Sequence, residues 1–188
     1  MRALITAALL LASAALHAAT ADFAGGCFWC MEADFEKKAG VSNVVSGFTG
    51  GTLKNPTYSG NHKGHYEAVR VTYDPDEVSY EELLAHFWRN IDPFDNGGQF
   101  CDRGFSYRTA IFVADETQRE AAQASLAKVA ARFDREIATP VLAAGTFWPV
   151  EEYHQDYAEK NPLRYKYYRW GCGRDERLEE IWGGNAPY

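Results

Sequence analysis

The chain has 188 residues, of which 46% are hydrophobic, and it carries a formal net charge of −7 at pH 7. An acidic chain without a basic cluster is not typical of proteins that bind nucleic acid or an anionic membrane. After the first residues no segment is apolar enough to cross a bilayer, so the sequence predicts no membrane insertion.

The N-terminal segment has the layout of a secretory signal peptide. Arg2 gives a positive start, residues 3–16 are apolar, and small residues up to Ala21 are suited to cleavage. We predict a signal peptide over residues 1–20 and a single catalytic domain over residues 21–188. The mature protein is expected to be an exported, soluble monomer, periplasmic if its source is Gram-negative.

Strands and helices alternate along the rest of the chain. The predicted strands cover residues 22–24, 41–48, 67–73, 107–114 and 141–147. The predicted helices cover residues 28–38, 79–91, 115–133, 151–160 and 175–182. Long polar loops cover residues 49–66 and 96–106, and an aromatic, coil-rich tail precedes the last helix. This order predicts an α+β two-layer sandwich on a split βαβ core with added helices.

The segment Gly25-Gly26-Cys27-Phe28-Trp29-Cys30 marks a candidate reactive cysteine. It stands where a predicted strand is followed by a helix, and the unpaired N–H groups of a helix N-terminus favour an anion. The thiolate is such an anion and is the nucleophilic form of cysteine. Phe28 and Trp29 follow directly, so the segment predicts a Cys27 nucleophile beside a small apolar pocket.

A carboxyl group and two phenols stand at the ends of loops and strands. Glu67 opens a predicted strand among aromatic residues, where desolvation would raise its pKa and suit it to proton donation. Tyr58 and Tyr107 each end a loop, and a phenol donates a hydrogen bond to a developing oxyanion. Asp102 is placed either to orient a substrate amide or a water, or to stabilise a turn.

All four cysteines, Cys27, Cys30, Cys101 and Cys172, lie in the predicted mature part. Export permits two structural disulfides, for which four cysteines allow three pairings. Cys27 and Cys30 lie one helical turn apart, which is more typical of a redox pair than of a structural clamp. No His–Cys spacing matches a zinc site, so we predict no metal.

A series of short motifs, in order along the chain, resembles a known family. The motifs are Gly26-Cys27-Phe28-Trp29, Gly50-Gly51, Asn55-Pro56-Thr57-Tyr58, Gly64-His65, Glu67-Ala68-Val69, Phe87-Trp88, Gly98-Gln99, Asp102-Arg103-Gly104, Tyr107-Arg108 and Glu152-Tyr153-His154-Gln155. Their order resembles the peptide methionine sulfoxide reductases of the A type. The resemblance implies a ferredoxin-like sandwich that reduces methionine-S-sulfoxide, free or in proteins. It also implies that no metal or organic cofactor takes part and that thioredoxin-like dithiols regenerate the enzyme.

By this resemblance Cys27 is the nucleophile, and Phe28 and Trp29 line the pocket for the ε-methyl group of the substrate. Attack of the Cys27 thiolate on the sulfoxide sulfur leaves methionine and a sulfenic acid on Cys27. A second thiol then condenses with the sulfenic acid to form a disulfide, a reversible step in cysteine oxidation.

The same resemblance assigns the sulfoxide oxygen to Glu67, Tyr58 and Tyr107, with Glu67 as the acid. It makes Asp102 a substrate-positioning residue. A sulfoxide sulfur becomes electrophilic when its oxygen is hydrogen-bonded or protonated. An acid and two phenols supply those interactions, so the chemistry of the residues agrees with the resemblance.

The resolving cysteine is not assigned by the resemblance alone. We predict Cys172, because two glycines flank it and a flexible tail can approach Cys27. Cys30, as the second cysteine of a Cys-x-x-Cys motif, is the first alternative, and Cys101 is the second. Two other functions also stay open: general thiol–disulfide oxidoreduction by Cys27 and Cys30, and a non-enzymatic domain with two structural disulfides.

Overall fold

The structure, a computed structural model, describes residues 18–183. Apart from residues 18–20, the predicted signal peptide therefore lies outside the described residues. The first strand begins at Ala19, before the predicted start of the domain at residue 21. Among the helices that the structure describes, none is long and apolar enough to cross a membrane.

Eight strands lie in the described part of the chain. They are β1 (Ala19–Gly25), β2 (Val41–Thr49), β3 (Tyr66–Tyr73), β4 (Gly98–Gln99), β5 (Asp102–Arg103), β6 (Thr109–Val113), β7 (Val141–Ala143) and β8 (Trp148–Pro149). Six of them form one sheet in the order β7-β6-β1-β3-β2-β8, and β4 pairs with β5 in a separate hairpin. β3 is antiparallel to both β1 and β2, so β1 and β2 are parallel with β3 between them. This is the predicted split βαβ core of a ferredoxin-like sandwich.

Six α-helices accompany the strands in residues 18–183. They are α1 (Phe28–Phe35), α2 (Tyr80–Arg89), α3 (Glu116–Phe133), α4 (Tyr157–Lys160), α5 (Pro162–Gly171) and α6 (Arg174–Trp182). α1 connects β1 to β2. α2 begins with a capping box in which the side chains of Ser79 and Glu82 each accept the backbone N–H of the other.

The core lies between the sheet and helices α1, α2 and α3. Phe23 of β1 stacks on Phe35 of α1 and on Phe87 of α2, with ring centroids 5.1 Å apart in each pair. Val69 and Val71 of β3 lie in this core, since alternate residues of a strand share one face. Glu67 stands two residues before Val69, so its side chain points to the same buried face of the strand.

The C-terminal segment is helical, and the predicted coil-rich tail is wrong. α5 begins with Pro162. The first N–H of a helix has no partner within the helix, so a proline, which has no N–H, is well suited to this position. Tyr165 and Tyr168 of α5 lie against Ala33 of α1 and Tyr157 of α4. The aromatic composition of the segment did not indicate a helix. The helix forms because its stability comes more from this packing than from the helix propensity of its residues.

Other element boundaries differ more modestly from the prediction. α1 ends at Phe35 and not at residue 38, and β7 ends at Ala143 and not at residue 147. The predicted helix over residues 151–160 is a short 3-10 turn followed by the single turn of α4.

Candidate active site

Cys27 stands at the start of α1, directly after the turn from the central strand β1. Gly26 makes this turn with φ +86°, and a Cβ atom at Gly26 would lie 2.6 Å from the Cβ of Gln99, so only glycine fits. Cys27 occupies the N-cap position of α1 and is 6% exposed. The strand–turn–helix junction therefore holds the predicted nucleophile in a fixed and covered position.

Glu67, near the start of β3, lies under the N-terminus of α1. Its Oε2 accepts the backbone N–H of Phe28 at 3.1 Å, and its side chain is almost fully buried. Burial raises the pKa of Glu67 to about 8, although the Phe28 hydrogen bond acts to lower it. Its Oε1 has no hydrogen-bond partner among the described residues. The predicted acid is thus protonated at neutral pH and has one oxygen free for a ligand.

The N-terminus of α1 stabilises Glu67, and the predicted stabilisation of a Cys27 thiolate there is wrong in this state. Phe28 donates its N–H to the carboxyl group, and the Cys27 side chain accepts no hydrogen bond as a cap. The N–H groups of Cys30 and Met31 donate to the carbonyl oxygen of Cys27. These three N–H groups therefore donate to other acceptors and not to the thiol.

The thiols of Cys27 and Cys30 are free and in hydrogen-bond contact with each other. Burial raises the pKa of Cys27 well above its usual range, and the charges of Cys30 and Glu67 act in the same direction. The hydrogen bond from Cys27 lowers the pKa of Cys30 to about 7; burial opposes this effect and the nearby Arg174 and Arg169 support it. Of the two thiols, Cys30 therefore ionises more readily than Cys27.

Tyr58 and Tyr107 bring two phenols to this acid and thiol. Burial raises the pKa of Tyr58 to about 12, and the charges of Glu67 and Cys27 add to the rise. Burial and the same two charges also raise the pKa of Tyr107. Both phenols therefore keep their protons and act as hydrogen-bond donors. The structure brings the predicted acid, the nucleophile and both phenols into one site.

Phe28 and Trp29 occupy different positions. Phe28 is fully buried in the core, with its ring centroid 5.8 Å from that of Phe48. Trp29 is half-buried and donates its indole N–H to Nδ1 of His154 at 3.2 Å. The Tyr157 ring stacks on Trp29 with 3.7 Å between centroids and an angle of 6° between the planes. His154 and Tyr157 thus fix the orientation of the apolar wall at the site.

Asp102 lies on β5, beside the disulfide that joins Cys101 to Cys172. Its Oδ2 accepts a hydrogen bond from the Tyr168 hydroxyl at 2.5 Å, and the same hydroxyl hydrogen-bonds with the Cys27 thiol. Burial raises the pKa of Asp102. Tyr168 therefore bridges the predicted nucleophile and the predicted substrate-positioning carboxyl group.

The cysteines form one disulfide and one free pair. The predicted resolving cysteine, Cys172, is bonded to Cys101 in this state, while Cys27 and Cys30 are free. The alternative of two structural disulfides is therefore wrong. Among the described residues, one group of three side chains could in principle ligate a metal: Cys101, Asp102 and Cys172, with ligand atoms within 4.8 Å of one another. The sulfur atoms of Cys101 and Cys172 are, however, bonded to each other in the disulfide.

Sequence reasoning missed the site roles of His154, Tyr157 and Tyr168. His154 belongs to one of the motifs quoted above, and its place in that motif was the available signal. Tyr157 and Tyr168 reach the site from α4 and α5, far along the chain from Trp29, so no local pattern marked them.

Fold and site together define a class of protein. A two-layer sandwich holds a covered cysteine, a protonated carboxyl group, two phenols and a second pair of cysteines joined as a disulfide. This set fits an oxidoreductase in which a cysteine attacks a small oxidised group, an acid neutralises its oxygen, and other thiols supply the electrons.

Comparison with known proteins identifies one family within this class. A model of the family described as "Peptide methionine sulfoxide reductase" matches residues 19–186. The chain is 51% identical over 184 residues to "Peptide methionine sulfoxide reductase MsrA 2" of Rhizobium meliloti, covering 97% of this chain and 93% of that protein. It is 55% identical over 177 residues to the protein of the same name from Caulobacter vibrioides, covering 92% and 90%.

Solved structures agree with this result. Methionine sulfoxide reductase A of Corynebacterium diphtheriae is similar with a TM-score of 0.69 at 33% identity, covering 80% of this chain and 78% of that chain. Mxr1 from Saccharomyces cerevisiae in reduced form gives a TM-score of 0.73 at 26% identity, covering 77% and 86%.

The chain belongs to the peptide methionine sulfoxide reductase family, A type. Its activity is that of a peptide-methionine (S)-S-oxide reductase, which returns methionine sulfoxide to methionine. The resemblance seen in the sequence and the predicted α+β fold are both confirmed. The family match favours this activity over the alternative of general thiol–disulfide oxidoreduction.

Proposed function

We propose that Cys27 attacks the sulfur of methionine-S-sulfoxide while Glu67 protonates the sulfoxide oxygen and Tyr58 and Tyr107 hold that oxygen. One observation carries this assignment. Glu67 is buried beside Cys27, has a pKa raised to about 8, and keeps Oε1 without a partner in the described residues. A protonated carboxyl group with a free oxygen is what proton donation to a bound sulfoxide requires.

The proposed step balances in atoms and electrons. The Cys27 thiol loses its proton, and its sulfur bonds to the sulfoxide sulfur as the oxygen takes a proton from Glu67; the proton released by Cys27 replaces the one that Glu67 gives away. The oxygen then passes to Cys27 as a sulfenic acid, and the methionine leaves with the electron pair. Methionine sulfur is reduced by two electrons and Cys27 is oxidised by two. Trp29 faces the methyl group and Asp102 positions the main chain of the substrate.

Recycling is proposed to run through Cys172 and then Cys101. The Cys172 thiol condenses with the sulfenic acid, releases water and forms a disulfide with Cys27. Attack of the Cys101 thiolate on Cys172 then moves the disulfide and frees Cys27. A state with Cys101 bonded to Cys172 and Cys27 free supports this order. A thioredoxin-like dithiol then reduces the remaining disulfide, whose Cys101 is exposed.

The test of this order compares two variants of reduced enzyme. We expect Cys172→Ser to release a single equivalent of methionine and then to stall with thioredoxin as reductant, because its Cys27 sulfenic acid has no resolving partner. Dimedone labelling followed by mass spectrometry should find the label on Cys27. Cys30→Ser is the matched variant and should turn over with thioredoxin. Normal turnover of Cys172→Ser together with a stalled Cys30→Ser would transfer the resolving role to Cys30.

We further propose that the substrates are oxidised proteins and free methionine sulfoxide, and that the enzyme acts as an exported monomer without nucleic acid or membrane. The positive start and apolar run of residues 1–16 support export. Periplasmic localisation follows if the source is Gram-negative.

The mature N-terminus is expected between Ala19 and Asp22. Ala19, Thr20 and Ala21 pair with β3, so cleavage at the early end of this range would leave β1 complete. The intact mass of the protein isolated from its native host measures the cleavage site. A mass that includes Met1 or Arg2 would overturn the proposed export.

A further inference from the structure

Tyr168 fills the space directly in front of the proposed nucleophile. Its hydroxyl hydrogen-bonds with the Cys27 thiol and donates to Oδ2 of Asp102 at 2.5 Å. Its ring meets Trp29 edge to face, with 5.9 Å between centroids and 82° between the planes. One side chain thus contacts the nucleophile, the positioning carboxyl group and the apolar wall.

These three contacts are also the ones that a bound methionine sulfoxide would need. Attack requires the sulfoxide sulfur within about 3–3.5 Å of the Cys27 sulfur. The Tyr168 hydroxyl occupies that neighbourhood, and Cys27 and Glu67 are only 6% and 1% exposed. Substrate cannot reach the thiol until Tyr168 moves aside, so the structure represents a closed state of the site.

The disulfide holds Tyr168 in this position. Cys172 follows the last turn of α5, and its N–H donates to the carbonyl oxygen of Tyr168 at 2.9 Å. Cys101, the other half of the disulfide, precedes Asp102 in the chain. The bond between the two sulfurs therefore ties the end of α5 to the strand that carries the hydrogen-bond partner of Tyr168.

A second anchor on α5 does not depend on the redox state. The Arg169 guanidinium pairs with Asp34 of α1 at 2.9 Å and with Asp175 of α6 at 2.6 Å. These ion pairs keep α5 docked when the disulfide is broken. Opening then requires only the Tyr168 side chain and Cys172 to move; Cys172 precedes Gly173, which has φ +63°.

We propose that Tyr168 is a redox-controlled gate, held across the substrate position by the Cys101–Cys172 disulfide, so that the enzyme accepts sulfoxide only after this disulfide is reduced. The proposal rests on the proposed function. An external dithiol opens the gate: its two thiols supply two electrons and two protons, the bond between Cys101 and Cys172 breaks into two thiols, and the dithiol becomes a disulfide.

Such a gate prevents a damaging second reaction. While Cys172 is bonded to Cys101, a new sulfenic acid on Cys27 has no Cys172 thiol to condense with. An unresolved sulfenic acid is open to further oxidation to the sulfinic acid, which is irreversible in most proteins. Closing the site during this interval keeps Cys27 reduced until the resolving pair is regenerated.

The experiment measures the first equivalent of methionine formed from N-acetylmethionine sulfoxide without added reductant. The first equivalent needs only Cys27, so its rate does not depend on a resolving thiol. Two forms of the enzyme are compared: fully reduced protein, and protein in which peptide mapping shows Cys101 bonded to Cys172 with Cys27 free. We expect the disulfide form to be slower by at least roughly tenfold, as for a site that is competent only in a minor open state.

Variants separate the gate from other effects of the disulfide. In its disulfide form, Tyr168→Ala should react within roughly threefold of its own reduced form, because the side chain in front of Cys27 has been removed. Tyr168→Phe keeps the ring and loses both hydrogen bonds, so it should lie between Tyr168→Ala and the wild type. Tyr167→Phe is the matched control on the same helix; Tyr167 is 73% exposed, and the variant should keep the slow disulfide form.

Two results would overturn the gate: a wild-type disulfide form that reacts within roughly threefold of the reduced enzyme, or a disulfide form of Tyr168→Ala that is as slow as the wild type. The reduced enzyme keeps the two proposals apart. If fully reduced wild type formed no methionine, the proposed function itself would fail. If the fully reduced wild type reacted normally, the difference in rate between the reduced and disulfide forms would test only the proposed gate.

Discussion

Cys27→Ser is expected to abolish methionine formation, including the first turnover of fully reduced enzyme, with a loss of at least roughly 10⁴-fold. A serine hydroxyl ionises far less readily than a thiol and is a weaker nucleophile toward sulfur. It also cannot form the disulfide that ends the catalytic cycle. The measurement is the amount of methionine released per enzyme from N-acetylmethionine sulfoxide in a rapid-quench experiment.

The matched control for this variant is Thr117→Ala, on the exposed surface of α3. It passes through the same expression and purification and should retain the wild-type first turnover. If Cys27→Ser released an equivalent of methionine at an appreciable rate, Cys27 would not be the nucleophile, and Cys30, its free neighbour, would become the candidate.

Glu67→Ala is expected to slow the reductive step by roughly 10²–10⁴-fold, the usual range for loss of a general acid. Glu67→Gln should lose less, because an amide still donates a hydrogen bond to the sulfoxide oxygen. Glu81→Gln, at an exposed position on α2, makes the same chemical change away from the site and serves as the control. The measurement is the single-turnover rate constant of each variant.

The pH dependence gives a second test of the same residue. The pKa of Glu67 is raised to about 8, so its carboxyl group carries the proton below that pH and loses it above. An amide does not titrate in this range. The ratio of the wild-type rate to the Glu67→Gln rate should therefore be constant at neutral pH and fall above pH 8 or so. Below that pH the neutral carboxyl group and the amide act alike on Cys27, so the ratio cancels its ionisation. Above that pH the charge of Glu67 raises the pKa of Cys27 in the wild type alone, which lowers the ratio further.

A ratio that stays constant to high pH, together with near wild-type rates for both variants, would place the acid elsewhere. Tyr58 and Tyr107 would then be the remaining donors, since burial keeps both phenols protonated. Their titration would move the alkaline limb to a higher pH.

The local parts of this protein could be read from the sequence, because each depends on neighbouring residues. The Gly25–Cys30 segment predicted the strand–turn–helix junction that presents Cys27. The alternation of β3 has a period of two, so it placed Val69 and Val71 in the core and Glu67 on the same face. The burial that makes Glu67 an acid was thus implicit in the pattern of a single strand.

The contacts between distant segments were decided only by the tertiary structure. The sequence predicted that the helix N-terminus stabilises the Cys27 thiolate, but the acceptor of its first N–H depends on the strand beneath it. In the structure the Phe28 N–H donates to Glu67, 39 residues further along the chain. The pairing of Cys172 with Cys101 and the approach of Tyr168 to Cys27 depend on where α5 docks. Docking buries side chains from several elements at once, and residue order within one element carries no information about that partner.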